Sequence, residues 1–244
     1  SDVSVIDSNR PRPLPMALGH EAAGIVEALG AAVTDLAGGD HVVTTFVPCC
    51  GACEPCTQGR PALCEPGAAS NTAGTLPGGA RRLHRGGADL QHHLGVSAFA
   101  GHAVVSRRSL VRVDRTLPFD EAAVFGCAGL TGVGAVVNTA PLRAGSRAAI
   151  VGLGGVGLAA LLGARAQGAG LLIAIDLSPA KLALARELGA THALAASDPD
   201  IVGQVRELSR GGVDHAFEFA GSVKAMELAY RITRRGGTTV TAGL

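Results

Sequence analysis

Tryptophan is absent, and aromatic residues make up only 3% of the 244-residue chain. Packing must therefore rest on alanine, leucine and valine, whose small side chains bring elements close together. Net charge is nearly absent as well: 21 basic and 20 acidic residues leave a formal +1, and only 17% of residues are charged. A balance of that kind creates no field to gather nucleic acid or an anionic membrane surface. Long apolar runs are missing too. None approaches the roughly 20 residues of a membrane span, and no signal-peptide pattern precedes the fold. These absences predict a cytoplasmic protein with neither nucleic-acid nor membrane partners.

What is present is cysteine and glycine. Six cysteines would suggest disulfides in a small secreted domain. In a chain long enough for one large or two ordinary domains, metal ligation is the stronger reading. The chain opens at Ser1 inside a polar segment and stops at Leu244, just after the strand-like Thr238 to Ala242, so it reads as a piece of a longer protein.

The most informative stretch runs from Ala148 to Asp176. Ala148 to Val151 has the length and branching of a buried parallel strand. Gly152, Gly154 and Gly157 complete a G-x-G-x-x-G turn directly after it, with Gly155 and Val156 inside the turn. Val156 to Gln167 reads as a buried alanine-rich helix, Leu171 to Ile175 as a second strand, and Asp176 as the acid at that strand's end. Strand, glycine turn, helix and acid together form a dinucleotide fingerprint: the turn lets backbone approach a pyrophosphate at a helix N-terminus. A glycine-rich turn in an ordinary α/β protein is the plainer alternative.

Around it the texture changes. Ser1 to Pro15 is polar and proline-rich and reads as irregular. Ala22 to Leu29, His41 to Val47 and Ala98 to Val113 have strand character, while Pro48 to His93 loses regular pattern. Asp120 to Thr139 reads as an apolar helix broken around Gly126 to Gly132. After a boundary near Ala140 to Gly145, strands and helices alternate to Ala242, which predicts a doubly wound parallel sheet.

Cys50, Cys53, Cys56 and Cys64 are spaced C-x2-C-x2-C-x7-C. Four thiolates this close can surround one Zn2+ tetrahedrally, and with every position filled the metal is structural. A disulfide pair and an iron–sulfur cluster are the alternatives, and Cys49 stands beside Cys50 as a spare thiol. His20, Glu21 and Cys127 are isolated, and singly each suits an ordinary structural role.

In combination they carry a resemblance. Gly19-His20-Glu21-Ala22-Ala23-Gly24, the four-cysteine loop, Cys127, and Gly152 to Gly157 with Asp176 follow the order and spacing of zinc-dependent alcohol dehydrogenases. These belong to the medium-chain dehydrogenase/reductase superfamily, and the chain resembles its long-chain, class III-like branch over essentially its whole length. The resemblance implies an α/β protein with a β-rich GroES-like catalytic domain at 1–142 and a Rossmann domain at 143–244, both partial, with the active site between. It implies hydride transfer between a small alcohol and NAD, giving an aldehyde or ketone, with one catalytic and one structural Zn2+, in a homo-oligomer. The rivals are a glutathione- or mycothiol-dependent formaldehyde dehydrogenase and a non-catalytic nucleotide-binding relative.

Position by position, the resemblance makes His20 and Cys127 catalytic zinc ligands and Glu21 a carboxylate that can approach the metal. Asp2 becomes the acid that fixes the His20 ring, Ser1 the hydroxyl that takes the alcohol proton, and Thr131 a neighbour of the nicotinamide. Gly152, Gly154, Gly155, Val156 and Gly157 become the pyrophosphate turn, with Asp176 and Lys181 at the adenosine ribose. Three features depart from the family pattern: a first cysteine ligand would precede Ser1, Ser4 stands where well-known members carry a relay histidine, and the chain stops before the segment that usually lines the nicotinamide pocket and the subunit interface.

Overall fold

The structure, a computed structural model, describes residues 2–243, and the chain divides into two units between Cys127 and Ala128. The first unit opens with a helix, α1 (Asp2–Ile6), where composition predicts irregular chain. Asp2 lies in its first turn, where a carboxylate meets unpaired amides. The strands that follow are short: β1 (Met16–Ala17), β2 (Ala23–Ile25) and β3 (His41–Thr44).

The segment predicted to lack pattern holds two helices. Both α2 (Glu54–Thr57) and α3 (Glu65–Ala73) carry proline in the first turn, where its missing N–H costs nothing. Cys64 caps α3 by accepting from the Gly67 amide, and Gly74 closes it in the left-handed conformation (φ +66°). Beyond lie β4 (His84–Arg85), β5 (Ala88–Asp89), β6 (Gln91–His92) and β7 (Leu110–Arg112). Only Leu110–Arg112 of the extended run expected at Ala98 to Val113 pairs as a strand. The antiparallel sheet β2-β3-β7 covers a small core of Val26, Leu36 and Val42, while β1 pairs in parallel with β6.

A 21-residue helical run occupies Phe119–Thr139, and it corrects two expectations. It is not broken at its glycines; it widens into π turns at Phe125–Gly129 and Ala135–Thr139, flanking α4 (Phe119–Val124) and α5 (Leu130–Gly134). The glycines permit close packing. A Cβ on Gly126 would overlap the Thr44 carbonyl oxygen, and one on Gly132 the Val156 carbonyl oxygen. By length and composition alone the run could also cross a membrane, a property that core helices share.

The second unit follows prediction closely. Its elements are β8 (Arg147–Val151), α6 (Gly155–Ala166), β9 (Leu171–Asp176), α7 (Pro179–Glu187) and β10 (His192–Ala195), then α8 (Ile201–Leu208), β11 (Val213–Glu218), α9 (Val223–Ile232) and β12 (Thr233–Thr241). All five strands are parallel, in the order β10-β9-β8-β11-β12, and β12 begins five residues earlier than the pattern suggests. Successive side chains of β8 enter opposite cores. Ala148 and Ile150 pack with Leu161, Leu172 and Phe217, whereas Ala149 and Val151 pack with Ile173, Val205 and Ile232. Each fully buried leucine, isoleucine or phenylalanine is worth about 1.5–3 kcal/mol, so this alternation fixes the sheet. Strand order reverses at β8, which opens a crevice at its carboxyl end.

Candidate metal centres and dinucleotide site

The thiols of Cys50, Cys53, Cys56 and Cys64 lie within 4.8 Å of one another, on the loop that leads through α2 to α3. Cys53 Sγ and Cys64 Sγ are 3.8 Å apart. That is the edge of a tetrahedron with 2.3 Å metal–sulfur bonds, about 3.8 Å, and far beyond a disulfide's roughly 2.05 Å. Among the described residues no two cysteines form a disulfide. Gly51 makes the C-G-A-C turn by adopting φ +76°, where a Cβ would also meet the Arg108 guanidinium.

Backbone amides prepare these sulfurs for charge. Ala52 and Cys53 amides donate to Cys50 Sγ at 3.4 and 3.3 Å, and they lower its thiol to about 6. Cys64 Sγ accepts from the Cys50 and Gly67 amides at 3.2 and 3.3 Å. Cys53 shows the opposite shift. The Cys56 amide favours its thiolate, but burial and the thiols of Cys56, Cys50 and Cys64 outweigh that and push it up to about 12. Without a cation the cluster accepts one negative charge and resists the next, so the donor set fits a divalent thiophilic metal such as Zn2+.

The second group surrounds His20, which is buried. Gly19 precedes it at φ +94°, in a turn where a Cβ would overlap the Phe99 amide nitrogen. Only glycine fits, and the turn directs the next ring inward. His20 Nδ1 is 2.5 Å from Asp2 Oδ2, and Asp2 Oδ1 accepts from the Gly19 amide at 2.7 Å. Burial opposes ionisation of Asp2, but the Gly19 amide and the His20 ring prevail and hold its carboxyl below the ordinary range. Phe46 and His93 each meet the His20 ring edge-to-face, with centroids 6.1 and 6.0 Å away. His93 Nε2 is 3.6 Å from Asp2 Oδ1, and burial lowers the His93 pKa.

The glycine turn connects β8 to α6. Gly152 adopts φ +91°, and a Cβ there would crowd Ala220; one on Gly157 would overlap the Gly152 carbonyl oxygen. A Cβ on Gly154 would instead point into open space, on the side where a ligand can approach the backbone. Gly155 and Val156 form the first turn of α6, whose free amides suit a pyrophosphate. Asp176, at the end of β9, accepts from the Leu153 amide at 2.7 Å and the Ser178 amide at 2.8 Å. Lys181 Nζ stands 3.9 Å from its carboxylate.

Thus the structure brings together the four cysteines, Asp2 with His20, and the glycine turn with Asp176 and Lys181. Thr131 lies half-buried in α5, beside the Gly132 that packs on the start of α6. Glu21 is exposed immediately after His20, and Cys127 is half-buried in the first π turn. Among the described residues, the mutually close donors around His20 are Asp2 and His93, and Cys127 is not one of them. Ser1 lies outside the described residues. His93 is the residue that sequence reasoning missed; its one local signal is the His92-His93 doublet in an otherwise unpatterned loop.

The family profile for the alcohol dehydrogenase GroES-like domain matches residues 1–115, and that for zinc-binding dehydrogenases matches residues 155–244. Class-3 alcohol dehydrogenase of Drosophila melanogaster is 40% identical over 235 residues, which are 94% of this chain and 62% of that protein. S-(hydroxymethyl)glutathione dehydrogenase of Synechocystis is 39% identical over 248 residues, 100% of this chain and 67% of that protein. The crystal structure of a Burkholderia ambifaria alcohol dehydrogenase zinc-binding domain protein superposes with a TM-score of 0.95 at 39% identity, covering 99% of this chain and 66% of that one. The chain therefore spans about two thirds of the length of these relatives. With a GroES-like first part and a Rossmann second part, it belongs to the zinc-dependent alcohol dehydrogenases of the medium-chain dehydrogenase/reductase superfamily.

Proposed function

We propose that the protein transfers a hydride between a small alcohol and NAD, giving the aldehyde or ketone, with its catalytic part in residues 1–142 and its dinucleotide-binding part in 143–244. The observation that carries this reading is the short hydrogen bond between Asp2 and the buried His20. With Asp2 ionised, an Nδ1–H of His20 donates to Oδ2 and the lone pair falls on Nε2, which supports reading His20 as a metal-ligating histidine.

His20 and Cys127 would hold the catalytic ion, with Glu21 adjacent in sequence, and Cys50, Cys53, Cys56 and Cys64 the structural one. A zinc ion held there would supply Lewis acidity toward an alcohol oxygen. The nicotinamide supplies the hydride acceptor, and the protein's part is orientation. Gly152, Gly154, Gly155, Val156 and Gly157 would seat the pyrophosphate on the α6 amides, with Thr131 toward the nicotinamide. Asp176 spends one lone pair on each of two amides, and its remaining lone pairs suit the ribose hydroxyls, beside Lys181. A four-thiol metal site without disulfides among the described residues suits a reducing compartment such as the cytoplasm.

Replacing His20 with alanine in the whole protein tests the reading. Alcohol-dependent reduction of NAD should disappear together with one of two bound zinc ions, the four-cysteine zinc remaining. An alanine variant that oxidises alcohols at the parent rate overturns it. The name of the Synechocystis relative favours a second reading, oxidation of a formaldehyde–thiol adduct. Formaldehyde oxidation that requires added glutathione or mycothiol selects it over a simple alcohol substrate.

A further inference from the structure

His93 is the one side chain among the described residues with two buried ring nitrogens that both lack a hydrogen-bond partner. Only 2% of it is exposed. A buried imidazole with neither nitrogen paired is costly unless the site uses it. The ring is not aimed into apolar packing, because its Nε2 stops 3.6 Å from Asp2 Oδ1, just outside hydrogen-bond range. Asp2 Oδ1 already accepts the Gly19 amide and has a second lone pair to offer.

The backbone around His93 is built to hold that aim. Leu94 and Ser97 both adopt left-handed conformations, at φ +55° and +52°, which non-glycine residues seldom accept. The turn persists because several bonds over-determine it. The His93 amide donates to Ser97 Oγ at 2.9 Å, the Val96 and Ser97 amides donate to the His93 carbonyl, and the Leu94 amide donates to Asn71 Oδ1. Conformational strain of this kind concentrates where a side chain must be held in place.

Asp2, His20 and His93 offer ligand atoms within 4.8 Å of one another, yet they do not make a coordination shell. Nitrogen and oxygen atoms sharing one zinc sit about 3.3 Å apart. His20 Nδ1 and Asp2 Oδ2 are at 2.5 Å, which is a direct hydrogen bond. The group is a chain of hydrogen-bonding partners that ends on His20. The geometry points to His93 as a positioning residue: its Nε2–H closes on Asp2 Oδ1 and sets the carboxylate plane, so that Oδ2 holds the tautomer and ring orientation of His20. An imidazole N–H supplies one directed bond here, where an ammonium would place a full positive charge against an incoming cation. The inference rests on the reading of His20 as a metal ligand.

The test uses the whole protein and Co2+ as the probe at the His20 site, with the four-cysteine zinc as an internal folding control. His93→Phe fills the ring volume without an N–H, and His93→Gln restores a donor of similar reach. His93→Phe should weaken Co2+ binding about ten- to a hundredfold and shift the visible d–d bands, with His93→Gln recovering most of both. Affinity and bands in His93→Phe that match the parent overturn the inference. His20→Ala separates the two readings. If it still takes up Co2+ like the parent, the ligand assignment fails; if it does not while His93→Phe does, only the role of His93 fails. Should His93→Phe also lose the four-cysteine zinc, the tautomer in the unaltered protein decides. Long-range proton–nitrogen correlation must show the proton on His93 Nε2, and a proton on Nδ1 alone overturns the inference.

Discussion

The two units are held together by different physics. The parallel-sheet unit buries both faces of its central strands in two apolar clusters that between them take in Ile150, Leu161, Phe217, Ile173 and Ile232. In the first unit, the apolar cluster among the described residues is small, made of Val26, Leu36 and Val42. Its long segment from Pro48 to His93 relies instead on four thiols, amide–sulfur hydrogen bonds and short turns. Where apolar area is scarce, a loop of that length needs a cross-link. A metal can supply one, because its binding free energy is available only to the folded loop.

The largest effect should come from breaking that cross-link. Cys53→Ser is expected to release close to one zinc per chain and to open residues 48–93 to protease, while the 143–244 sheet keeps its resistance. Equal metal content in parent and variant, measured by atomic emission, would remove the structural site.

A smaller and more selective effect is expected at the end of β9. Asp176→Asn keeps one oxygen for an amide and removes the charge that a 2′-phosphate would meet. The preference for NAD over NADP should narrow about tenfold, near 1.4 kcal/mol, with Lys181 already softening the repulsion. If the parent protein uses both cofactors equally, Asp176 does not discriminate between them.

The smallest effect concerns a polar contact within the apolar unit. Asp214 binds Arg147 Nη2 at 2.8 Å, the Arg147 amide at 2.8 Å and Arg234 Nε at 2.5 Å. The hydrogen bond to Arg147, foremost, holds its carboxyl well below the ordinary 3.8, against the cost of burial. A depressed folded-state pKa contributes stability above the unfolded value, and that stability is lost as pH falls below it. Asp214→Asn should therefore cost about 1–2 kcal/mol at pH 7 and progressively less toward pH 2. Urea titrations of both proteins across that range check the sign, and a difference that does not shrink in acid refutes it.

Much of this was legible because it is local. The alternation of strands and helices after Gly145, the turn at Gly152 to Gly157 and the spacing of Cys50 to Cys64 each lie within a few tens of residues. Periodicity and spacing carry them directly. Even there, β12 begins at Thr233 rather than Thr238, because pairing with β11 extends the strand beyond its apolar stretch. The Phe119–Thr139 helix reads as broken in the sequence, since its glycines look like stops until Thr44 and Val156 are seen against them.

The parallel sheet, the glycine turn with Asp176 and the four-thiol loop can be read from the chain alone, because each depends on neighbours along it. The resemblance alone proposed Asp2 and His20 as a pair. Tertiary structure decided that they touch, that Phe46 and His93 wall the same ring, and that His93 is buried with both nitrogens unpaired. No periodicity encodes such a meeting. It depends on the Gly19 turn, α1 and the strained loop after His92 arriving at one point, and that is set by packing between segments far apart in the chain.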